Sequence, residues 1–344
     1  MNYFNVKSFI NNLKHTDNIC ILYHRDNDGI CSAVLMLKIL YKNNLSASFF
    51  DFSLSEDEEV FNALVKKFNK FIILDIPFDQ AKEVLVTDNI KILIIDHHPP
   101  IKNLSSENIV HYNIHFEKNV YQPVSYLVYK IFEDELKDYD WVAAIGTVSD
   151  YGIDDCLDLI SKFIKNPTKE NVSKSKLMKI ADMLYGNSIF SSCNDVIELL
   201  FNSKSLEELE KNKILKETYK NYRKEIKRLK KKYLEKSENL FDGRLIFGLL
   251  NSKYKRLSSS VSTELCSEDN SKIFIVYEER KGKFSVSART GISNIDLGKI
   301  FKEISNEINI SAGGHPNAAG ALLPKNKINI FKEKLIEKIK PFLQ

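Results

Sequence analysis

Ile19-Cys20-Ile21-Leu22-Tyr23, followed by His24-Arg25-Asp26-Asn27-Asp28-Gly29, is the stretch that decides the fold. Five apolar residues in a row suit a short strand buried on both faces. The polar segment after them is built from Asp, Asn and Gly, the residues of a turn. From Gly29 onward Ile30, Val34, Leu37 and Tyr41 recur at helical spacing. Working outward, residues 46–52, 71–74 and 90–95 read as further strands, and the acidic stretch 56–68 reads as a helix between the first two. Near-continuous apolar strands separated by helices predict an α/β domain with a doubly wound, mostly parallel sheet covered on both faces. Its expected span is 1–153.

The whole chain has 344 residues, which at roughly 100–200 residues per domain suggests two domains. With 43% hydrophobic and 28% charged side chains it is neither disordered nor low-complexity. No apolar run approaches the roughly 20 residues of a membrane helix, and residues 1–11 lack the pattern of a secretion signal. The expectation is a soluble cytoplasmic protein with no membrane partner. The net charge of +4 excludes a strongly basic scaffold, so any nucleic-acid contact has to come from local patches. Cys20, Cys31, Cys156, Cys193 and Cys266 are odd in number and contain no Cys-x-x-Cys pair, which argues against thiolate zinc and a disulfide framework.

Residues 154–240 turn helical and polar and read as a connector. Within it Leu215, Tyr219, Tyr222, Ile226, Leu229 and Tyr233 step by three and four, one stripe of a long helix. The lysines on its other faces are open to two readings, a solvated surface or a track for a phosphate backbone. From 241 to 344 the chain returns to α/β texture as a second, smaller domain. Strands are expected at 244–250, 272–277, 283–288 and 318–323, with helices at 258–266 and after Asp296.

Ligands of an open α/β sheet bind beyond the carboxyl ends of its strands. There stand His24, Asp26 and Asp28, then Asp75, then Asp96, His97 and His98. Asp150 follows the apolar segment 141–148, read as a fourth strand-like element. Each residue alone has an ordinary explanation, a helix cap or a turn for the acids and a half-buried ring for the histidines. Together, so many carboxylates are unfavourable unless cations neutralise them. One or two divalent ions resolve this. Carboxylates with imidazoles and no thiolates suit Mn²⁺ or Mg²⁺, with Zn²⁺ also compatible.

His24-Arg25-Asp26-Asn27-Asp28-Gly29, Asp75, Asp96-His97-His98 and Gly146-Thr147-Val148-Ser149-Asp150 resemble the four ordered motifs of the DHH phosphoesterases. That family includes RecJ-like exonucleases, oligoribonucleases (nanoRNases), cyclic-dinucleotide phosphodiesterases and exopolyphosphatases. Gly313-Gly314-His315-Pro316-Asn317-Ala318-Ala319-Gly320 resembles the Gly-Gly-His signature of the DHH-associated C-terminal domain, and Ser287-Ala288-Arg289 its substrate-binding arginine. The resemblance implies metal ligation by His24, Asp26, Asp28, Asp75, His97 and Asp150, with Asp75 bridging two ions. It further implies that Asp96 stands behind the ligands and orients the histidines, and that His98 meets the substrate phosphate.

The implied chemistry is phosphodiester hydrolysis through two ions, Mn²⁺ first and Mg²⁺ second, about 3.5–4 Å apart. Asp26, Asp28, Asp75, His97, His98 and Asp150 form the implied catalytic set. Cys31 and Ser32 fall inside the following helix and read as packing residues. A plain Gly-Gly turn is one reading of 313–314. The other is an anion nest that, with His315 and Arg289, grips a phosphate across a cleft between the domains.

An additional single-strand-binding barrel, as in bacterial-type RecJ enzymes, has no room in this length. That shifts the expected substrate towards single-stranded DNA or RNA, or short oligonucleotides, trimmed to mononucleotides. A cyclic- or linear-dinucleotide phosphodiesterase is the alternative, and a replisome-associated scaffold with little catalysis is the reading from another class. The sequence leaves room for a homodimer and for a replication or repair partner protein.

Overall fold

A computed structural model describes residues 3–81 and 89–343. Two compact units emerge, Met1–Tyr219 and Lys220–Gln344.

In the first unit β1 (Ile19–Tyr23), β2 (Ala47–Asp51), β3 (Lys70–Leu74), β4 (Lys91–Asp96) and β5 (Ile109–Asn113) form one sheet in the order β2-β1-β3-β4-β5. All its pairings are parallel. The central strands are apolar throughout because both faces are covered. Ile19, Ile21, Ile72, Leu74, Leu93 and Ile95 enter a large helical core. The alternate residues Cys20, Leu22, Phe71, Ile73, Ile92 and Ile94 enter a separate aromatic-rich core with Phe52, Phe61 and Phe78. Neighbours of β1 diverge to β2 on one side and β3 on the other, which opens the crevice of a topological switch point at their carboxyl ends.

The helices that shape that crevice are α1 (Asn27–Lys42), α2 (Val124–Ile131) and α3 (Asp140–Ser149). The last of these corrects the sequence reading of 141–148 as strand-like. Every residue from Trp141 to Val148 is buried, so the segment carries no polar face from which a helical period could be read. Residues 154–219 add further helices that fall within this same unit.

Helix α4 (Lys213–Lys236) follows the expected stripe. Leu215, Tyr222, Ile226, Leu229 and Tyr233 are buried along one seam. The Tyr233 hydroxyl donates to the carbonyls of Ile246 and Ile275, at 3.1 and 3.0 Å, which fastens the end of the helix to the second unit's sheet.

That sheet is mixed. Its strands are β6 (Glu238–Leu240), β7 (Leu245–Leu249), β8 (Ile273–Arg280), β9 (Lys283–Thr290), β10 (Ser311–His315) and β11 (Ala318–Pro324), in the order β10-β11-β9-β8-β7-β6. Only β7 and β8 run parallel. Helix α5 (Ser258–Glu268) packs on β8 and β9, and α6 (Leu297–Ile308), capped by Asp296, lies against β10. Gly313-Gly314-His315 therefore sits on an edge strand, not in a turn. Gly314 has φ +150°, and a Cβ there would stand 2.3 Å from the carbonyl oxygen of Ala318. The second glycine is thus required by the close backbone pairing of the hairpin.

Candidate metal centre

Four chain segments converge at the carboxyl edge of the parallel sheet. The first leaves β1. His24 stays on the sheet through its amide, which donates to the Leu74 carbonyl at 3.2 Å. Asp26 caps α1, its Oδ1 accepting the Gly29 amide at 3.0 Å while Oδ2 meets His24 Nδ1 at 2.7 Å. Gly29 permits this tight entry, since a Cβ there would lie 2.2 Å from the His24 carbonyl oxygen. Asp28, in the first turn of the helix, is buried and accepts the amides of Val124 at 2.7 Å and Ser125 at 2.9 Å. It thereby neutralises the N-terminus of α2 as well as belonging to the cluster.

The second segment leaves β3. The Asp75 amide continues the ladder to the Ile95 carbonyl at 3.0 Å, but its φ is +61°. Aspartate tolerates this left-handed conformation better than most residues, and such strain concentrates at functional sites. The turn aims the side chain into the cluster. Asp75 Oδ1 lies 3.2 Å from His97 Nε2 and 4.0 Å from His98 Nδ1, and Oδ2 lies 3.5 Å from His24 Nδ1.

β4 supplies the third segment. Asp96 ends the strand and holds His98 Nδ1 at 2.8 Å, while the Asn113 side-chain amide reaches its other oxygen at 3.5 Å. Asp96 thus grips the ring of His98 and not that of His97. The fourth segment is the end of α3, where Asp150 Oδ2 lies 3.5 Å from His97 Nε2.

His24, Asp26 and Asp75 form one triad whose donor atoms lie within 4.8 Å of one another; Asp28, His97 and Asp150 form a second, and Asp75, His97 and His98 a third. Asp75 and His97 each belong to two of them.

The electrostatics follow from burial and crowding. Burial is the largest influence on His97 and favours the neutral ring, yet Asp75, Asp28 and Asp150 outweigh it and raise the pKa to about 10. His24 is raised in the same way, burial being overcome by Asp26 and Asp75. Among the acids, burial together with neighbouring carboxylates pushes Asp28 well up and Asp150 to about 6. Asp26 goes the other way, held low against burial by His24. The cluster balances its charge with protons, which a divalent cation would have to displace.

The residues present fit such a cation. Carboxylate oxygens and imidazole nitrogens are a donor set for a hard or borderline divalent ion. Asp75 Oδ2 and His97 Nδ1 are buried with no hydrogen-bond partner, an uncompensated arrangement in a chain that satisfies Asp28 and Asp96 fully.

One residue escaped the sequence reading. Tyr121 donates from its hydroxyl to Asp150 Oδ2 at 2.7 Å and sets its ring 5.1 Å from that of His97. No local motif marks it. It arrives because Pro123 starts α2, whose N-terminus docks on the distant Asp28.

The remaining expected residues lie in the second unit. The register β10-β11-β9 aligns His315 with Ala318 and Ala318 with Arg289, so the three share one face of the sheet with Gly313, Gly320 and Ser287. His315 and Gly313 lie on the accessible edge strand, His315 exposed and Gly313 half-buried. The Arg289 guanidinium donates to Ser259 Oγ at 3.1 Å and the Ala288 carbonyl at 2.9 Å, which holds it over that small-residue floor. Among the described residues the five cysteines are free thiols, and no helix is long and apolar enough to cross a membrane.

The DHH family N-terminal domain matches residues 18–153, and the DHHA1 domain matches residues 248–341. Uncharacterized protein MJ0831 of Methanocaldococcus jannaschii is 24% identical, the match covering 94% of both chains. RecJ from Thermus thermophilus, in complex with Mn²⁺, shares the fold with a TM-score of 0.72 at 15% identity. That match covers 98% of this chain and 55% of the RecJ chain, so this chain spans about half the length of that structure. CDC45 from Entamoeba histolytica shares it with a TM-score of 0.59 at 12% identity, covering 97% of this chain and 98% of the other. With both domain matches in order along the chain and the parallel sheet carrying the motif residues at one edge, the protein belongs to the DHH family and pairs its N-terminal domain with a DHHA1 domain.

Proposed function

We propose that the protein is a metal-dependent phosphodiesterase that trims single-stranded nucleic acid or short oligonucleotides to mononucleotides. One observation carries this reading. Seven potential donors from four segments crowd together at the switch point of the sheet, and the central one, Asp75, is buried, backbone-strained and without a hydrogen bond at Oδ2.

His24, Asp26 and Asp75 would hold one divalent ion, and Asp28, His97 and Asp150 a second, with Asp75 reaching both groups. When bound, such a pair neutralises the carboxylates, acidifies a water and polarises the phosphoryl oxygens. Mn²⁺ suits the mixed imidazole and carboxylate set best, with Mg²⁺ second. The chain's own residues supply the rest. Asp96 commits His98 Nδ1 to itself, leaving Nε2 of a partly exposed ring for a phosphate oxygen. In the second unit Ser259 and the Ala288 carbonyl hold the Arg289 guanidinium ready to grip a phosphate, and His315 and Gly313 on the same face let a nucleotide approach closely.

The test is an end-labelled DNA and RNA ladder of increasing length, incubated with Mn²⁺, Mg²⁺ or EDTA and resolved by size. Stepwise release of mononucleotides with Mn²⁺, abolished by EDTA, is the expected result. Cleavage of dinucleotides alone would move the assignment to a dinucleotide phosphodiesterase. Inert protein that takes up no metal would refute the hydrolase reading and leave the scaffold reading.

A further inference from the structure

Helix α4 carries a feature that the metal centre does not use. In its second-unit part the apolar seam Tyr222, Ile226, Leu229 and Tyr233 is buried. At roughly 100° per residue, Lys220, Lys224, Lys227 and Lys231 fall within an arc of about 60° on the opposite side. All four are exposed, and among the described residues none is engaged in an ion pair or hydrogen bond.

Their neighbours sharpen the pattern. Arg223 and Arg228, flanking the stripe, are tied to Glu264 and Glu225. Between residues 220 and 231 Glu225 is the only acid, and Arg228 engages it. A helix that needed only solubility would alternate glutamate with lysine at i,i+4. Here Lys220 and Lys224 stand at that spacing, as do Lys227 and Lys231, a like-charge arrangement that disfavours the helix. A partner with repeating negative charge reverses that penalty.

The geometry points to single-stranded nucleic acid. The lysines rise along the helix by about 5 Å per step over about 16 Å. An extensible single strand can meet that by stretching beyond the ~3.4 Å per nucleotide of a strand in a duplex. Tyr222 and Tyr233 point into the seam and offer no stacking platform. The grip is therefore on the sugar–phosphate backbone and indifferent to base. We propose that this face of α4 binds the backbone of single-stranded DNA or RNA. The choice of a single strand over a duplex rests on the function proposed above; the cationic surface itself does not.

The experiment uses the full chain in EDTA, with labelled 20-nucleotide DNA and RNA followed by anisotropy across a salt series. Replacing all four lysines (K220Q, K224Q, K227Q and K231Q together) is expected to flatten the slope of log affinity against log salt by about 2.8, at about 0.7 per lost contact. Affinity at ~50 mM salt should fall about tenfold or more, equally for DNA and RNA, and the matching Lys→Arg variant should retain both. An unchanged slope overturns the proposal, as does a greater loss for duplex DNA or anionic vesicles than for single strands. Dinucleotide cleavage with Mn²⁺ runs in parallel and should be equal in wild type and variant. If wild type fails to cleave, the enzymatic reading falls while the binding result stands.

Discussion

Each unit buries a carboxylate, and the two are handled in opposite ways. Glu278 on β8 is 3% exposed and sits at the N-terminus of α5, where it accepts the Ser258 hydroxyl at 2.8 Å and the amides of Ser258 and Leu257 at 3.3 and 3.4 Å. Asp75 is 1% exposed, crowded by Asp28, His24 and His97, and keeps one oxygen without a hydrogen bond. The first charge is settled by the fold and stabilises it. The second is not settled by the fold's own hydrogen bonds, and the ion site proposed above rests on that contrast.

Exchanging each carboxylate for a neutral group tests that contrast with the largest effect. Asp75→Asn keeps a residue that tolerates φ +61° and should leave the circular dichroism spectrum of the native fold intact. It should lower Mn²⁺ affinity and hydrolysis by more than the ~100-fold upper range for residues that merely orient a ligand. Glu278→Ala should do the reverse, costing about 1–3 kcal/mol of stability in a denaturant melt while Mn²⁺ titration is unchanged. If Asp75→Asn bound Mn²⁺ like wild type, the distinction between the two acids would be lost.

Proton competition sharpens the comparison next. His97, with its pKa raised to about 10, is protonated at neutral pH in the metal-free protein, and an entering ion must displace that proton. Mn²⁺ affinity should therefore rise by about tenfold per pH unit per displaced proton, from about pH 6 towards about 10. Below about pH 6 the dependence should steepen as Asp150 also takes up a proton. Stability without metal has the opposite sign. A pKa raised above the unfolded ~6.5 stabilises the fold fully below that value and loses the contribution as pH climbs to about 10. Calorimetric titration across pH, with melting curves in EDTA, reads both; a flat affinity profile would mean that these imidazoles do not compete with the ion.

Much of this architecture was legible because the first sheet is buried on both sides, which writes each of its central strands as an uninterrupted apolar word. The same rule hid α3. A helix buried all round writes the same word, and the run from Trp141 to Val148, buried throughout, offers no polar face to betray the period. Asp150 was placed beside the other acids by its motif even though the element carrying it was misread. The plain turn that was one reading of Gly313-Gly314 is an edge strand, because only the pairing with Ala318 and Ala319 reveals that the glycine makes room for a neighbouring backbone. Contacts between distant segments were the illegible part. Asp28 serves α2 across 96 residues of sequence, a tie for which its flanking residues hold no sign.

Tyr121 is where that long-range tie touches the chemistry, and it carries the smallest of these effects. Its hydroxyl donates to the same oxygen of Asp150 that faces His97, and its ring rests at a tilt against that imidazole. The phenol thus fixes which way the carboxylate turns without being a donor to an ion itself. Groups of this kind typically contribute about 10–100-fold to metal affinity. Because Tyr121 is 40% exposed and water can replace part of its bond, the low end is expected. Tyr121→Phe keeps the ring contact and removes only the hydroxyl, so the melting temperature in EDTA should hold while Mn²⁺ affinity falls about tenfold. A fall in melting temperature with unchanged affinity would make Tyr121 a packing residue of the α2 entry, and the carboxylate of Asp150 would then owe its orientation to α3 alone.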